Sequence, residues 1–475
     1  MYKMKKLLIG LNVFFLLPIF VKSQSLITTK IYSTYVNDSI PIKVWLPKNY
    51  SKSEKYPVIY EFVYDHTNYI AATASNMWDV PNLIVVWAQI EGGNEDYKSP
   101  NLTNEGMKYY AFVKNELINY VEKEYNTTNL RIAAGLSQGA DYINYILRND
   151  PSLFNTYLVF SLEYPINYTP DFSSYTTKIK DSLSYFIAIA NDEDERVKFA
   201  NQLTDSLKTS SFLKIKKEYF ANASHSYSIL YALPDALLFA FEDYNIVRQK
   251  SSSESLISYY TSVLKEKKEK FGNINYHQFL YQIFQSSNIE KYSANEIDNF
   301  IDTVYSLKEA IDIDLVNIGY GLRTKKLYQN AEKAYQMALL KKQNTGITAM
   351  DNLTTYFQLY KVYDLDGKTD KALSTLQEGY EKTKAKDEGL LYTIGYYYID
   401  KKIDVNKGIE ILKSMLYDKH TVSSFWTKSN VEVYLKIATG YWELKNKKQA
   451  KIYIDKTLEI NPKNDAALKL KALIK

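Results

Sequence analysis

The sequence predicts an α/β domain followed by an all-α domain of helical repeats. Three observations carry this expectation. Between residue 25 and about residue 248, short β-rich runs alternate with helical ones, the pattern of a mostly parallel sheet covered on both faces. From 249 to 475 strand signals all but vanish and a recurring pair of helical patterns takes over. The pentapeptide Gly135-Leu136-Ser137-Gln138-Gly139 stands where one strand of the first domain gives way to a helix.

The first element is a leader. Lys3, Lys5 and Lys6 precede an apolar run of 15 residues, Leu7 to Val21, which is short for a membrane span and suits a signal sequence. Val21 and Ser23 supply small residues at −3 and −1 for cleavage before Gln24. Residues 1–23 therefore read as a signal peptide, with the mature chain exported to a periplasm, the cell surface or the medium. No membrane span is expected after cleavage. Four of the 59 basic residues are leader lysines, which leaves 55 against 54 acids, and no argument for a nucleic-acid partner survives. The chain has no cysteine, so disulfides, a thiol nucleophile and a lipid-bearing cysteine are excluded. The 45 tyrosines are scattered through both halves and read as core packing.

Residues 24–248 form the expected α/β domain. Ile40 to Leu46 is the first clear strand, and its early proline suggests an edge position or a strand start. Tyr56 to Tyr64 is the second. Leu83 to Ala88 is short and continuously apolar, as for a strand buried on both faces. Ala111 to Tyr125 is an amphipathic helix. Leu130 to Ala134 leads into the pentapeptide, a helix follows, and Asp150-Pro151 stops it. Tyr157 to Phe160 and Tyr185 to Ala190 are the remaining strands.

Residues 249–310 read as a linker, around Gln249 to Ser253, with joining helices. Residues 311–475 carry the repeats. In the last unit Tyr434, Ile437, Ala438 and Tyr441 share one helix face, Ala450, Ile454 and Thr457 share the next, and Pro462 closes it. Small residues are needed where the two helices of a unit cross closely. Ala331, Ala372 and Gly408 anchor earlier units at spacings of 41, 36 and 42 residues. That order resembles a divergent tetratricopeptide pattern, whose strict repeat is about 34 residues.

The pentapeptide reads G-x-S-x-G, the nucleophile elbow of α/β-hydrolases. A serine on a sharp strand-to-helix turn is strained, and glycine on either side removes Cβ atoms that would collide. A serine nucleophile needs a general base and a third group to orient it, in the chain order serine, acid, histidine. The histidines are His66, His225, His277 and His420, and only His225 follows Ser137 within the first domain. It lies in the polar loop after Tyr219-Phe220. The acid falls in Asn191-Asp192-Glu193-Asp194-Glu195-Arg196-Val197, after the last strand. The register G-x-x-D-x-x-V, with Asn191 in place of glycine, selects Asp194; other registers select Asp192 or Glu193. The oxyanion hole would use the Gln138 N–H and a second N–H from the turn after Tyr64, near Asp65-His66.

Residues 35–245 resemble the esterase family that includes esterase D and the enterochelin-esterase-like hydrolases. The resemblance rests on Ile40 to Pro47, Tyr56 to Tyr60, Pro81 to Val86, Glu116-Leu117-Ile118 before Tyr125, and the elbow. It implies an α/β-hydrolase fold and carboxylic-ester hydrolysis, with Ser137 and His225 at family catalytic positions. The chain departs from the family at Leu136, where histidine is usual, and at Ala140, where a second glycine is usual. It departs again at Ser224, often glycine, and within Gln89 to Asp96, where the usual Asn and Arg are replaced, although Asp96 and Pro100 match.

These readings predict an exported serine esterase with Ser137, His225 and Asp194 as catalytic residues, acting on a small-molecule or glycan-linked ester. No metal or organic cofactor is called for. The alternative is a catalytically inactive hydrolase-like scaffold that binds a protein partner through its helical repeats.

Overall fold

The computed structural model describes residues 25–91, 102–162, 173–191, 194–251, 253–286, 289–308, 310–345, 350–382, 388–417 and 430–474. The leader, Asp96, Pro100, Asp192, Glu193, His420 and the side chain of Asp194 lie outside that description. The chain divides into two compact units, residues 1–246 with 265–274, and residues 247–264 with 275–475.

The first unit is built on one twisted sheet. Its strands are β1 Ser25–Ser33, β2 Asp38–Leu46, β3 Tyr56–Phe62, β4 Ile84–Ala88, β5 Thr127–Leu136, β6 Thr156–Phe160, β7 Leu183–Ala190 and β8 Leu213–Phe220. Their order across the sheet is β1-β2-β4-β3-β5-β6-β7-β8. From β4 to β8 every neighbouring pair is parallel, while β1 and β2 join antiparallel. Pro41 does not mark an edge, because β2 lies between β1 and β4. The pairing with β4 begins only at Ile42, so the proline stands just past the end of that ladder.

Alternation along the strands feeds two separate cores. Val44, Tyr60, Val86, Val159 and Ile187 face the helices α2 Asn104–Phe112, α3 Ile118–Glu124, α4 Gln138–Asn149 and α6 Asp194–Leu207. A π-turn, Val113–Leu117, joins α2 to α3. On it Glu116 accepts the Thr34 N–H at 2.9 Å and the Thr34 hydroxyl at 2.6 Å. Ile59, Val85, Ile132, Leu158 and Phe186 face the other way, onto α1 Thr67–Ser75 and α7 Ser228–Ala240. Burial on both faces is what the continuously apolar strands require. The short helices α5 Ser173–Thr176 and α8 Glu242–Asn245 lie after β6 and α7.

Among its described residues the second unit is helix and connecting turn. It takes the first half of α9 Leu256–Phe271, whose residues from 265 on belong to the first unit, and after α10 Tyr276–Ser286 and α11 Ala294–Ser306 come α12 Asp312–Thr324, α13 Tyr328–Thr345, α14 Met350–Leu365 and α15 Thr369–Lys382. Then follow α16 Glu388–Asp400, α17 Val405–Tyr417, α18 Asn430–Glu443, α19 Lys447–Ile460 and α20 Asp465–Ile474. Helices α12 to α19 pack as successive pairs. Ala331, Ala372, Ile437, Ala438, Ala450 and Ile454 are all buried at the crossings. Close approach explains the small residues: a Cβ on Gly379 would sit 2.8 Å from the Tyr356 ring, and one on Gly408 would sit 2.7 Å from the Gly395 carbonyl.

Candidate active site

Strands β3 to β8 run the same way, so the segments that follow them gather at one edge of the sheet, where parallel α/β folds place their chemistry. Ser137 follows β5 directly. It is buried, with φ 55° and ψ −121°, a left-handed conformation that a serine holds only under constraint. The constraint is visible on both sides. Its N–H donates to the Phe160 carbonyl at 3.0 Å, and its carbonyl accepts the Asp141 N–H at 3.1 Å. A Cβ on Gly135 would lie 2.3 Å from the Gly139 backbone, and one on Gly139 would lie 2.5 Å from the Phe62 carbonyl. The flanking glycines are therefore required by the backbone's own close approach. Gln138 opens α4, at the positive end of that helix.

His225 opens a single 3-10 turn, His225–Tyr227, between β8 and α7, as the polar loop suggested. It is half-buried and its Nε2 is shielded from solvent. The Ser228 hydroxyl donates to its carbonyl at 3.1 Å, and the Tyr227 N–H donates to the Ser224 carbonyl at 3.0 Å.

Asp194 begins α6, four residues after the end of β7. The loops after β7 and β8 are tied together. The Asn191 N–H donates to the Ala223 carbonyl at 3.0 Å, and the Tyr219 hydroxyl donates to the Asn191 side chain. Backbone three residues ahead of Asp194 thus touches backbone two residues ahead of His225. Ser137 reaches the same edge through β6: Ser161, buried with φ 43°, donates its N–H to the Ala188 carbonyl at 2.9 Å.

The turn after β3 begins earlier than the sequence suggested, at Val63 rather than after Tyr64. Val63 has φ 73°, and the Tyr64 N–H reaches back to the Phe62 carbonyl at 3.0 Å, a tight three-residue turn that a β-branched residue adopts only under strain. The His66 N–H is committed, donating to Glu61 Oε2 at 2.8 Å, while its ring Nδ1 meets Glu61 Oε1 at 2.6 Å. Glu61 is 1% exposed. Burial pushes its carboxyl up, and the hydrogen bonds from His66 pull it partly back. Asp65 goes the other way: burial raises it, but Lys43 and Thr67 outweigh burial and hold the carboxyl below its usual range. Sequence reasoning missed Glu61; the one available signal is a lone carboxylate inside the apolar run Tyr56 to Val63.

The other described histidine lies in the helical unit, where His277 Nδ1 meets the buried Asp314 carboxylate at 2.7 Å. Among the described residues no group of three or more acids and histidines is placed to hold a metal ion, and no helix is long and apolar enough to cross a membrane.

Residues 33–168, which include β2 to β6 and the elbow, match the family described as putative esterase. No curated protein matches the chain. Among solved structures the chain is similar to an uncharacterised protein from Capnocytophaga ochracea DSM 7271, at 15% identity and TM-score 0.47, over 75% of this chain and 94% of that one. It is also similar to an IroE-like serine hydrolase from Shewanella oneidensis, at 21% identity and TM-score 0.45, over 57% and 96%. A third is the BES protein from Bacillus cereus, at 17% identity and TM-score 0.40, over 50% and 98%. By the family match over residues 33–168, the α/β domain that carries Ser137 is that of an esterase-type hydrolase.

Proposed function

We propose that the protein is an exported serine esterase with Ser137 as nucleophile, His225 as general base and an acid of the loop after β7, Asp194 foremost, orienting the imidazole. The observation that carries this is the backbone of Ser137: left-handed, clamped on both sides, and at the mouth of a parallel sheet. Strain of that kind is retained where it places a reacting group. In the reaction Ser137 Oγ attacks the ester carbonyl carbon while His225 accepts the hydroxyl proton. The imidazolium then protonates the departing alkoxide as the C–O bond breaks. Water, deprotonated by the same imidazole, releases the acid and restores the serine. The Gln138 N–H and the N–H of Val63 or Asp65 would bind the oxyanion, since the Tyr64 and His66 N–H groups are committed to the Phe62 carbonyl and to Glu61.

The hydrogen bonds that tie Asn191 to the loop before His225 favour an acid from 192–194 over any elsewhere. Paired helices with small residues at their crossings support a tetratricopeptide-like second domain. Export through residues 1–23 predicts a mature chain beginning at Gln24, which N-terminal sequencing checks.

The test is hydrolysis of short-chain p-nitrophenyl esters by the mature chain beside Ser137→Ala and His225→Ala. The expected result is turnover and fluorophosphonate labelling in the parent. Ser137→Ala should lose both, and His225→Ala should keep no more than about one part in 10³ of the parent rate. A parent chain that neither turns over nor labels would sink the esterase reading.

A further inference from the structure

Glu61 is the one carboxylate that the inner strands of the sheet bury almost completely, among the described residues. A buried charge is costly unless paired and fully hydrogen-bonded. Its partners here are not distant groups that a fold-stabilising pair would bridge. Both belong to His66, five residues along, at the far end of the strained turn. One carboxylate oxygen holds the backbone N–H and the other meets the ring nitrogen, so the side chain closes a loop over Phe62, Val63, Tyr64 and Asp65.

That loop borders the elbow. The Phe62 carbonyl and the Val63 Cβ lie 2.5 and 3.7 Å from where a Cβ on Gly139 would project, two residues after the nucleophile. Further ties hold the same loop: the Trp87 indole N–H donates to the Val63 carbonyl at 3.4 Å, and Lys43 pairs with Asp65. Asp65 in turn accepts the Thr67 N–H at 3.1 Å. A positive-φ valine relaxes unless its surroundings over-determine it. Of these ties, only the Glu61–His66 pair rests on a fully buried carboxylate.

We propose that Glu61 and His66 form a positioning pair that holds the Val63 turn, and with it the second oxyanion donor, against the nucleophile elbow. This rests on the serine-esterase reading. Neither residue needs to touch substrate. The ring proton can sit on Nδ1 facing a carboxylate, or the carboxyl can carry it and donate to Nδ1; one shared proton bridges Oε1 and Nδ1 either way, while the His66 N–H holds Oε2.

This has a distinctive consequence for substitution. In Glu61→Gln the amide oxygen accepts the His66 N–H and the amide NH2 donates to Nδ1 of the other ring tautomer, so the loop stays closed. In Glu61→Leu both bonds are lost. In His66→Ala the backbone bond remains and the ring bond goes. Because oxyanion contacts are realised in the transition state, loosening the turn lowers kcat and leaves KM in place.

The experiment is steady-state hydrolysis of p-nitrophenyl acetate by the full mature chain and these three variants, each assayed below its own unfolding temperature. The expected result is a kcat lowered about 10- to 100-fold in Glu61→Leu and His66→Ala, below the roughly 10²- to 10³-fold that removing a whole donor costs. KM should stay within about twofold, and Glu61→Gln should keep kcat within about threefold of the parent. If Glu61→Leu does not fold, His66→Ala and Glu61→Gln decide. Parent-like kcat in His66→Ala overturns the proposal, as does a loss carried by KM, or a Glu61→Gln as slow as His66→Ala. A parent chain without turnover is a different failure, that of the esterase reading itself.

Discussion

At the scale of single residues, the elbow is the part of the site most tightly bound to residue type. Gly135 and Gly139 approach other backbone atoms within 2.5 Å of where a Cβ would project, and backbone cannot step aside as a flexible side chain can. Gly135→Ala should lower stability by about 1–3 kcal/mol and slow fluorophosphonate labelling of Ser137, because α4 must back away to admit the methyl group. Urea unfolding and labelling rates, measured on one preparation, check both effects. This is also why the elbow was legible without a structure: a geometry that only glycine tolerates writes glycine into the sequence at fixed spacing. His225 was singled out for a different reason, scarcity. Glu61 was not legible. Its partner is set by how the chain turns after Phe62, and a lone carboxylate in an apolar run reads equally as a residue facing water. For an orienting acid the sequence offers Asp192, Glu193 and Asp194, and spacing alone does not divide them.

At the scale of elements, the buried parallel strands were read easily because burial on both faces makes them continuously apolar. The two outermost strands were not. β1 reads Ser-Leu-Ile-Thr-Thr-Lys-Ile-Tyr-Ser and β8 Leu-Lys-Ile-Lys-Lys-Glu-Tyr-Phe, both rich in the lysine and hydroxyl side chains with which exposed edges are protected from pairing with other chains. Of the two readings of Pro41, the edge position fails, since the proline stands just past the end of a partner strand and not at the edge of the sheet. In the helical unit the small residues at the crossings carry the packing. Gly408→Ala would place a methyl group 2.7 Å from both the Gly395 carbonyl and the Ile399 side chain, where α16 and α17 meet. The carbonyl cannot yield, so a loss of about 1–3 kcal/mol is expected, read as a lower unfolding midpoint by circular dichroism at 222 nm.

At the scale of the whole molecule, the division into a sheet-based half and a helical half was carried by a change in hydrophobic period. The returning segment 265–274 was not, because nothing in a helical pattern says which unit its last turns will join. Tyrosine abundance has a global effect. Tyr60, Tyr142, Tyr157 and Tyr185 are fully buried in the sheet domain, and burial raises each phenol above its ordinary value of about 10. A group whose pKa is raised by folding contributes stability that is complete below the unfolded value and is lost as pH climbs past it. The urea midpoint should therefore show no tyrosine-driven loss from pH 7 to 9 and fall steeply above about pH 10. Tyrosinate absorbance at 295 nm from these rings should appear together with unfolding, not before it.

Val63, Ser137 and Ser161 end β3, β5 and β6, three neighbours in the sheet, and each holds a left-handed backbone without being glycine. Conformations of this kind cost about 1–3 kcal/mol apiece, so the rim that carries Ser137 is the least relaxed part of an otherwise well-packed sheet. A library of this protein screened only for heat resistance would be drawn towards glycine at these three positions, and the winners would be sturdier proteins and poorer catalysts.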